Sequence, residues 1–480
     1  MKITRFVISD YHQFGYLNID LTYPKGHPKE GKPLEKVCFI GKNGTGKTSI
    51  LKFIKNFYNQ LHSSNNNIVE FDNINDTNNN NSQICFEVEH NNNRYLIGKL
   101  KKFHVDGEFR SIVTNQGLQI LKSDYYDNIP DFFEKIFFDK NADLAQNVLH
   151  KDWEKTQNDD INKIIKEIQN NLLSIGLLIY SPTEYNKNDS LTDIFSLTNL
   201  DIALRFGKNF PYYHEISFDH VMNFWSALTY QVNRREQEFK DFLNKSENQK
   251  KAVEDVKKIF EKENPDILKV IADKWNFILQ TAGLYFDYDN AKKPIQLTDN
   301  LIAYIKTIKD NKEIKFHDLS SGIKNLIFNV GYLVSLYFHR DVKSAVALFD
   351  EPEFSLFPDI LLKLIDFYTN PKDFPNTQFF FATHSPLVAS QFEPEERICL
   401  HFDENRRVTY SPGIAPLGDN PDDILLQDFG MSEVMPEFGV GKWNEYLKLR
   451  SQIDKEKDLP KKQELMKQFS ELRRQYRFQV

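Results

Sequence analysis

Residues 36–48 read Lys-Val-Cys-Phe-Ile-Gly-Lys-Asn-Gly-Thr-Gly-Lys-Thr, and an amphipathic pattern continues over 50–61. The apolar run 36–40 predicts a short buried strand, and the pattern after the glycines predicts a helix. Residues 41–48 match the phosphate-binding loop in the strand–loop–helix context that this motif requires. A glycine-rich turn without function is a poor alternative, because composition alone rarely yields this pattern after a strand. The stretch therefore predicts an α/β fold with a phosphate site at the end of a strand.

The residue types in this loop suit the binding of ATP together with Mg²⁺. Glycines let backbone N–H groups approach phosphates closely, and the start of the helix adds a favourable dipole. Lys47 is expected at the β- and γ-phosphates, and the Thr48 hydroxyl is expected to bind Mg²⁺. The predicted nucleotide-binding residues of the loop are Gly41, Asn43, Gly44, Thr45, Gly46, Lys47, Thr48 and Ser49.

A second apolar run, residues 345–349, ends on the adjacent carboxylates Asp350 and Glu351. Neighbouring side chains at a strand end diverge, so one can hold the metal while the other faces the attacking water. Asp350 is the predicted Mg²⁺ ligand, directly or through water, and Glu351 is the predicted general base. Taken alone, such a strand end is more often a solvated turn. The phosphate-binding loop in the same chain favours the catalytic interpretation.

Two further motifs complete the predicted site. Leu319-Ser320-Ser321-Gly322 opens a long apolar helix, and its hydroxyls, free N–H groups and positive dipole end suit a γ-phosphate. The alternative is that Ser320 or Ser321 is simply the helix N-cap. Residues 381–386 form an apolar strand end followed by His384, where a neutral imidazole could sense the γ-phosphate or position water. A lone histidine at a strand end is usually structural.

The order of the four motifs resembles the ATP-binding cassette ATPases of the SMC-like kind. Residues 350–358 look like the extended Walker B and D-loop of the RecF- and OLD-like branch, although Phe357 stands where a histidine is common. Residues 382–386 look like the switch histidine of that branch. The resemblance implies that two heads sandwich two ATP molecules, each site pairing one P-loop with residues 320–322 of the other subunit. A Q-loop glutamine is not obvious, and Thr183 and Glu184 are weak candidates.

The resemblance covers residues 1–125 and 297–412, which it predicts to be the two halves of the ATPase head. The predicted fold class is α/β: a P-loop head of ABC type with a mixed sheet and an antiparallel subdomain. Lys, Glu, Leu, Ile and Phe at helical spacing predict a mainly helical insertion over 126–296. Residues 413–480 are predicted to be a helical tail, divided into a hairpin at Pro460. This tail is a possible docking region for an effector.

Composition limits the class of protein and its location. With 480 residues, 40% of them hydrophobic, the chain is globular and long enough for roughly two to four folding units. Lys and Arg number 61 against 68 Asp and Glu, so the net charge of −7 excludes a strongly basic nucleic-acid coat protein. Three widely spaced cysteines match neither a disulfide framework nor a zinc site. With no apolar leader or membrane-length run, a cytoplasmic protein is expected.

The head alone leaves the biological role open. Head subtype, length, insertion and tail, including Asp422-Asp423-Ile424-Leu425, resemble the stand-alone ATPases of bacterial antiphage defence operons, such as Septu and retron-linked systems. That resemblance implies a homodimer or higher even-numbered oligomer that controls a separate effector nuclease or toxin. No nuclease domain is expected within this chain, because about 95 residues follow His384, and most of them form a charged helical hairpin.

Two alternatives remain open on the sequence. The first is a RecF-like DNA-repair ATPase, in which Lys99, Lys101, Lys102 and Arg110 would contact the phosphates of duplex DNA. The same basic residues could equally be a solvated edge strand. The second alternative is an ATP-gated structural assembly module with little turnover.

Overall fold

The computed structural model describes residues 2–62, 83–90, 93–99, 119–122, 177–182, 213–215, 234–235, 237–291, 305–314, 318–340, 342 and 344–478. Within these residues the architecture is mixed α/β, as the phosphate-binding loop predicts. Twelve of the described strands form one sheet in the order β6-β5-β4-β1-β2-β14-β13-β3-β12-β11-β7-β8. Two others, β9 (Leu284–Phe286) and β10 (Ile305–Thr307), form a small antiparallel sheet.

Three of the four sequence motifs follow strands in the parallel part of the large sheet, and the fourth opens a helix. The strands of this part are β3 (Lys36–Gly41), β7 (Leu177–Ser181), β8 (Tyr213–Glu215), β11 (Ala345–Asp350), β12 (Thr377–Ala382) and β13 (Arg397–Phe402). Every residue of β11 and β12 is buried. Strands that are covered on both faces read as continuous apolar runs, which is why the sequence pattern located them. The carboxyl ends of β3, β11 and β12 lie side by side at one edge.

The remaining strands of the large sheet pair mainly antiparallel. They are β1 (Lys2–Tyr11), β2 (Phe14–Asp20), β4 (Gln83–His90), β5 (Asn93–Lys99), β6 (Gln119–Lys122) and β14 (Val408–Pro412). Alternating apolar and polar residues over 2–21 predict a β-hairpin, and β1 and β2 form it with the turn at His12. Apolar patterns also predict strands over 84–89, 94–103 and 176–180; β4 and β7 confirm the first and last, and β5 confirms the second as far as Lys99, beyond which it lies outside the described residues.

The described α-helices pack on both faces of the sheet or extend beyond it. They are α1 (Lys47–His62), α2 (Val253–Glu263), α3 (Ile267–Leu279), α4 (Tyr288–Ala291), α5 (Ser321–Arg340), α6 (Pro358–Leu361), α7 (Leu364–Thr369), α8 (Pro386–Ala389), α9 (Pro421–Gln427), α10 (Glu437–Lys455) and α11 (Leu459–Tyr476). The two large apolar clusters of the described residues lie against the sheet: one joins α3 and α5 to it, and the other joins α1 to β1, β2 and β4. Trp275 ties α3 to α5, because its Nε1 donates to the Ile327 carbonyl at 3.0 Å.

Some expectations differ from the structure. The sequence predicts one helix over 358–368, but the chain forms α6 and α7, because Lys363 between them leaves helical geometry with φ −123° and ψ 3°. The helical hairpin of the tail is confirmed; Pro460 lies in the first turn of α11, where its missing N–H costs no hydrogen bond. The helices predicted over 131–174 fall outside the described residues. Among the described helices, none is long and apolar enough to span a bilayer.

Candidate functional site

The loop after β3 has the backbone geometry of a phosphate cradle. Gly41, Gly44 and Gly46 have φ values of 142°, 82° and 88°, which residues with a Cβ rarely adopt. A Cβ on Gly41 would collide with the Leu400 carbonyl, and one on Gly46 would collide with the Phe14 ring. Both positions therefore require glycine for steric reasons as well as for backbone conformation, because β13 packs against Gly41 and β2 packs against Gly46.

Lys47 lies inside this loop. Its Nζ donates to the carbonyls of Gly41 at 2.8 Å and Lys42 at 3.2 Å, and the residue is 6% exposed. Burial lowers the pKa of Lys47 to about 8. The negative charges of Glu351, Asp350 and Glu353, in decreasing order of effect, raise the pKa and partly offset this shift. Those acidic neighbours show that the loop and the end of β11 form one electrostatic environment.

Thr48 and Asp350 are 302 residues apart in the sequence but are in contact in the fold. The Thr48 Oγ1 donates to Asp350 Oδ1 at 2.9 Å, and Asp350 is buried. A hydroxyl beside a carboxylate fits Mg²⁺, which usually binds one or two protein oxygens and completes its octahedron with waters and substrate phosphates. No group of three or more His, Cys, Asp or Glu residues that could cage a metal occurs in the described part of the chain. This donor set fits an ion that arrives with a phosphate ligand.

Glu351 and His384 face each other at the ends of β11 and β12. His384 Nε2 lies 3.3 Å from Glu351 Oε1, and both side chains are partly exposed. Glu351 begins a tight turn with φ 48°, and its N–H donates to the Ala382 carbonyl at 2.8 Å. Burial, followed by the charge of Lys47, holds the pKa of His384 below its ordinary value, against the effect of Asp350. This shift favours the neutral form of the imidazole.

Glu353 joins the same two strand ends, and the sequence motifs gave it no role. Its Oε1 accepts hydrogen bonds from the Thr383 hydroxyl and from the His384 backbone N–H. Thr383 Oγ1 accepts from the Ser385 N–H at 2.9 Å. The sequence signal for this residue was the third acidic residue of Asp-Glu-Pro-Glu at 350–353, but the sequence could not show which way its side chain points.

The Ser320–Gly322 segment lies beside the turn that follows Glu351. Ser320 Oγ accepts from the Ile323 N–H at 3.4 Å, as an N-cap does. The backbone of Gly322 packs so closely against Ser355 that a Cβ would collide with the Ser355 carbonyl. Ser320 and Ser321 are exposed at the start of α5. The structure thus brings this motif against the Walker B turn of its own chain.

The other predicted residues lie at the surface of the loop or helix that carries them, or outside the described part of the chain. Asn43 is exposed at the tip of the loop, and Ser49 lies in the first turn of α1, partly exposed. Lys99 belongs to β5, but its side chain is outside the described part. Thr183, Glu184, Lys101, Lys102 and Arg110 all fall outside the described residues.

A family profile described as AAA ATPase domain matches residues 1–389, most of the chain. The chain belongs to this ATPase family. Its matched range contains the phosphate-binding loop, Asp350, Glu351 and His384. A fold of mixed α/β type with a P-loop at the end of a parallel strand agrees with that membership.

The chain is also similar to a curated protein called Retron Vc95 probable ATPase, from Vibrio cholerae serotype O1 biovar El Tor. The two are 28% identical over 289 residues, which is 54% of this chain and 54% of the relative. The chain thus matches about half the length of that relative.

Two solved structures of SMC heads also match. One is an SmcHead bound to the C-winged helix domain of ScpA, with a TM-score of 0.36, 9% identity, and coverage of 86% of this chain and 97% of the other. The second is the SMC head domain from Thermotoga maritima, with a TM-score of 0.35, 10% identity, and coverage of 86% and 100%.

Proposed function

We propose that the protein binds Mg²⁺-ATP at the β3–α1 loop and hydrolyses it to ADP and phosphate. The observation that carries this proposal is the convergence of Lys47, Thr48, Asp350, Glu351 and His384 at one sheet edge. The family profile supports ATPase chemistry in general. The residue roles are our own assignment from the geometry.

In this proposal each side chain has one task. The loop N–H groups bind the phosphates as a ring of donors, and Lys47 binds them as a point charge, as in P-loop enzymes. Thr48 and Asp350 hold Mg²⁺, which neutralises charge on the phosphates when bound. Glu351 accepts the proton of the attacking water. The neutral imidazole of His384, 3.3 Å from Glu351 Oε1, orients that water or the γ-phosphate.

We further propose that two copies complete each site around ATP. The exposed hydroxyls of Ser320 and Ser321, with Gly322, would contact the γ-phosphate held by the other copy. Support comes from their exposure and from the neighbouring Walker B turn, which leaves Phe354 45% and Phe357 67% exposed. Exposed aromatic side chains around a polar helix start suit a face that another chain covers.

The dimer can be tested by light scattering of the Glu351→Gln variant with Mg²⁺-ATP, in which slow turnover should preserve the complex. Twice the single-chain mass is expected with ATP, and the single-chain mass with ADP. Ser320→Arg should prevent dimerisation, whereas Ser451→Arg, at an exposed serine of α10, should not. A single-chain mass for Glu351→Gln under all nucleotide conditions would contradict ATP-dependent pairing.

For the biological role we propose an antiphage defence system in the cytoplasm, in which this ATPase acts as sensor and scaffold for a separate effector nuclease or toxin. The name of the retron relative supports the setting. The tail supplies a candidate docking face, because residues 413–480 expose several large apolar side chains: Ile414, Leu417, Leu426, Met431, Met435 and Phe438.

This role is tested with the whole operon in cells. Lys47→Ala should abolish protection in a phage plating assay, and unchanged plating efficiency would contradict the proposal. In a pull-down of the tagged protein, an effector should co-purify in near-stoichiometric amounts. Phe438→Glu should reduce that recovery, and Ile308→Glu, at an exposed apolar residue of another region, should leave it unchanged.

A further inference from the structure

The turn that follows Glu351 contains a second carboxyl group, Glu353, that accepts hydrogen bonds from the switch segment, residues 382–386. Its Oε1 accepts from the His384 N–H at 2.9 Å and from the Thr383 hydroxyl. Its Oε2 is shielded from solvent and has no hydrogen-bond partner among the described residues. Glu353 itself is half-buried, and a carboxylate oxygen that is shielded from water without a partner is costly, so the arrangement needs a reason.

The backbone around Glu353 explains what the two bonds hold in place. Two left-handed residues, Glu351 with φ 48° and Ser355 with φ 63°, bracket Glu353 and make the turn tight. The His384 N–H is bound to Glu353, while the His384 side chain reaches Glu351 Oε1. Glu353 therefore fixes the distance between two residues that leave different strands. A second link lies two residues earlier, where the Glu351 N–H donates to the Ala382 carbonyl at 2.8 Å.

We infer that Glu353 is a positioning residue for hydrolysis, which holds His384 at working distance from Glu351. This inference rests on the proposed role of His384 in turnover. Loss of the carboxyl group frees the backbone at 383–385, and displacement of a reacting group by about 1 Å costs about a hundredfold in rate. The nucleotide-binding contacts of the loop at 41–48 do not include Glu353.

The inference makes a specific kinetic prediction. Glu353→Ala lowers kcat for ATP about tenfold to a hundredfold, with KM changed by less than about threefold. Glu353→Gln keeps most of the rate, because its Oε1 still accepts both hydrogen bonds. Burial raises the pKa of Glu353 and so favours its neutral form. The neutral amide of Gln resembles that form in charge and shape.

A double-mutant cycle separates positioning from general support of the fold. If Glu353 acts through His384, then Glu353→Ala added to His384→Ala lowers kcat no further. Purely additive losses, equal rates for the Ala and Gln variants, or a loss confined to KM would each overturn the inference. If Glu353→Ala fails to fold, Thr383→Val takes its place, because it removes one hydrogen-bond donor to the same oxygen. In the His384→Ala background, Thr383→Val must also leave kcat unchanged.

The same experiment distinguishes this inference from the proposed function. If His384→Ala leaves kcat unchanged, the role of His384 fails, and the positioning role fails with it. If His384→Ala lowers kcat while Glu353→Ala and Thr383→Val do not, only the positioning role fails. Binding of a fluorescent ATP analogue and the melting temperature show for each variant that the fold and the nucleotide site are intact.

Discussion

The imidazole of His384 illustrates how one side chain depends on its surroundings. Burial and the charge of Lys47 lower its pKa from the ordinary 6.5. The unfolded chain therefore takes up this proton at a higher pH than the folded protein does. Stability from this group is complete above pH 6.5 and is lost as the pH falls from there through the folded pKa.

The titration of His384 can be measured directly. Nitrogen-15 NMR of the histidine side chains should give a midpoint below 6.5 for His384, with the signal assigned by its absence from His384→Gln. His12, an exposed histidine at the β1–β2 turn, serves as the reference in the same spectrum. A midpoint for His384 at or above that of an ordinary histidine would contradict the environment described for it.

Gly46 makes a steric prediction that a matched glycine can control. Gly46 and Gly26 have similar φ values, 88° and 90°, but only Gly46 has neighbours within 4 Å of an added Cβ. Gly26→Ala should cost about 1–2 kcal/mol of unfolding free energy from left-handed strain alone. Gly46→Ala should cost about 1–3 kcal/mol more, because the Cβ meets the Phe14 ring.

Denaturant unfolding of both variants measures the difference, and ATP binding should be lost only in Gly46→Ala. Equal destabilisation of the two variants would mean that Phe14 does not restrict the loop.

At the residue scale, the sequence predicted which side chains would converge but not how they are held. Thr48 and Asp350 could be expected to meet, because both follow parallel strands whose carboxyl ends share one sheet edge. The Glu353 bonds could not be predicted, since they depend on two left-handed residues that are not glycine. Nothing in the composition of a turn fixes such a conformation in advance.

Among the elements, β13 and α9 are joined by a fully buried ion pair. Arg397 Nε lies 3.1 Å from Asp428 Oδ2, and both side chains are 0% exposed. Asp428 Oδ1 also accepts from the N–H groups of Ile414 at 2.7 Å and Ala415 at 3.2 Å. This pair fixes the segment 413–428 against the sheet and thereby sets where the tail leaves the head.

Removing one charge of this pair should strongly lower the free energy of unfolding. Asp428→Asn leaves the Arg397 guanidinium buried without a counter-charge and should lower the unfolding free energy by about 3–5 kcal/mol. Arg397→Met combined with Asp428→Leu should be less destabilised than the single variant. Glu404→Gln, at an exposed turn residue, controls for loss of a carboxylate. Urea unfolding is the measurement, and a loss below about 1 kcal/mol for Asp428→Asn would contradict the role of the pair.

The buried strands were more predictable than the helix break at residues 362–363. Continuous apolar runs such as 345–349 and 379–382 mark buried parallel strands, and the strands that form there extend only one or two residues beyond these runs. The break between α6 and α7 was not foreseen, because Leu362 and Lys363 carry no helix-breaking residue type. At the break, Lys363 leaves helical geometry with φ −123° and ψ 3°.

On the scale of the whole molecule, distant parts of the sequence share one sheet. Strand β7, from the region predicted to be mainly helical, pairs with β11 over Ala345–Phe349. Helix α3 of that region also packs on α5. The sequence indicated an apolar strand near 176–180, but its sheet position follows from long-range pairing that local patterns do not encode.

We propose that the sheet edge where β3, β11 and β12 end hydrolyses ATP with Glu351 as the base. The decisive measurement is phosphate release under saturating Mg²⁺-ATP, compared between the wild type and Glu351→Gln. We expect turnover by the wild type and a decrease of about a hundredfold to ten-thousandfold in Glu351→Gln, with ATP affinity retained. Equal rates of phosphate release from the two proteins would contradict it.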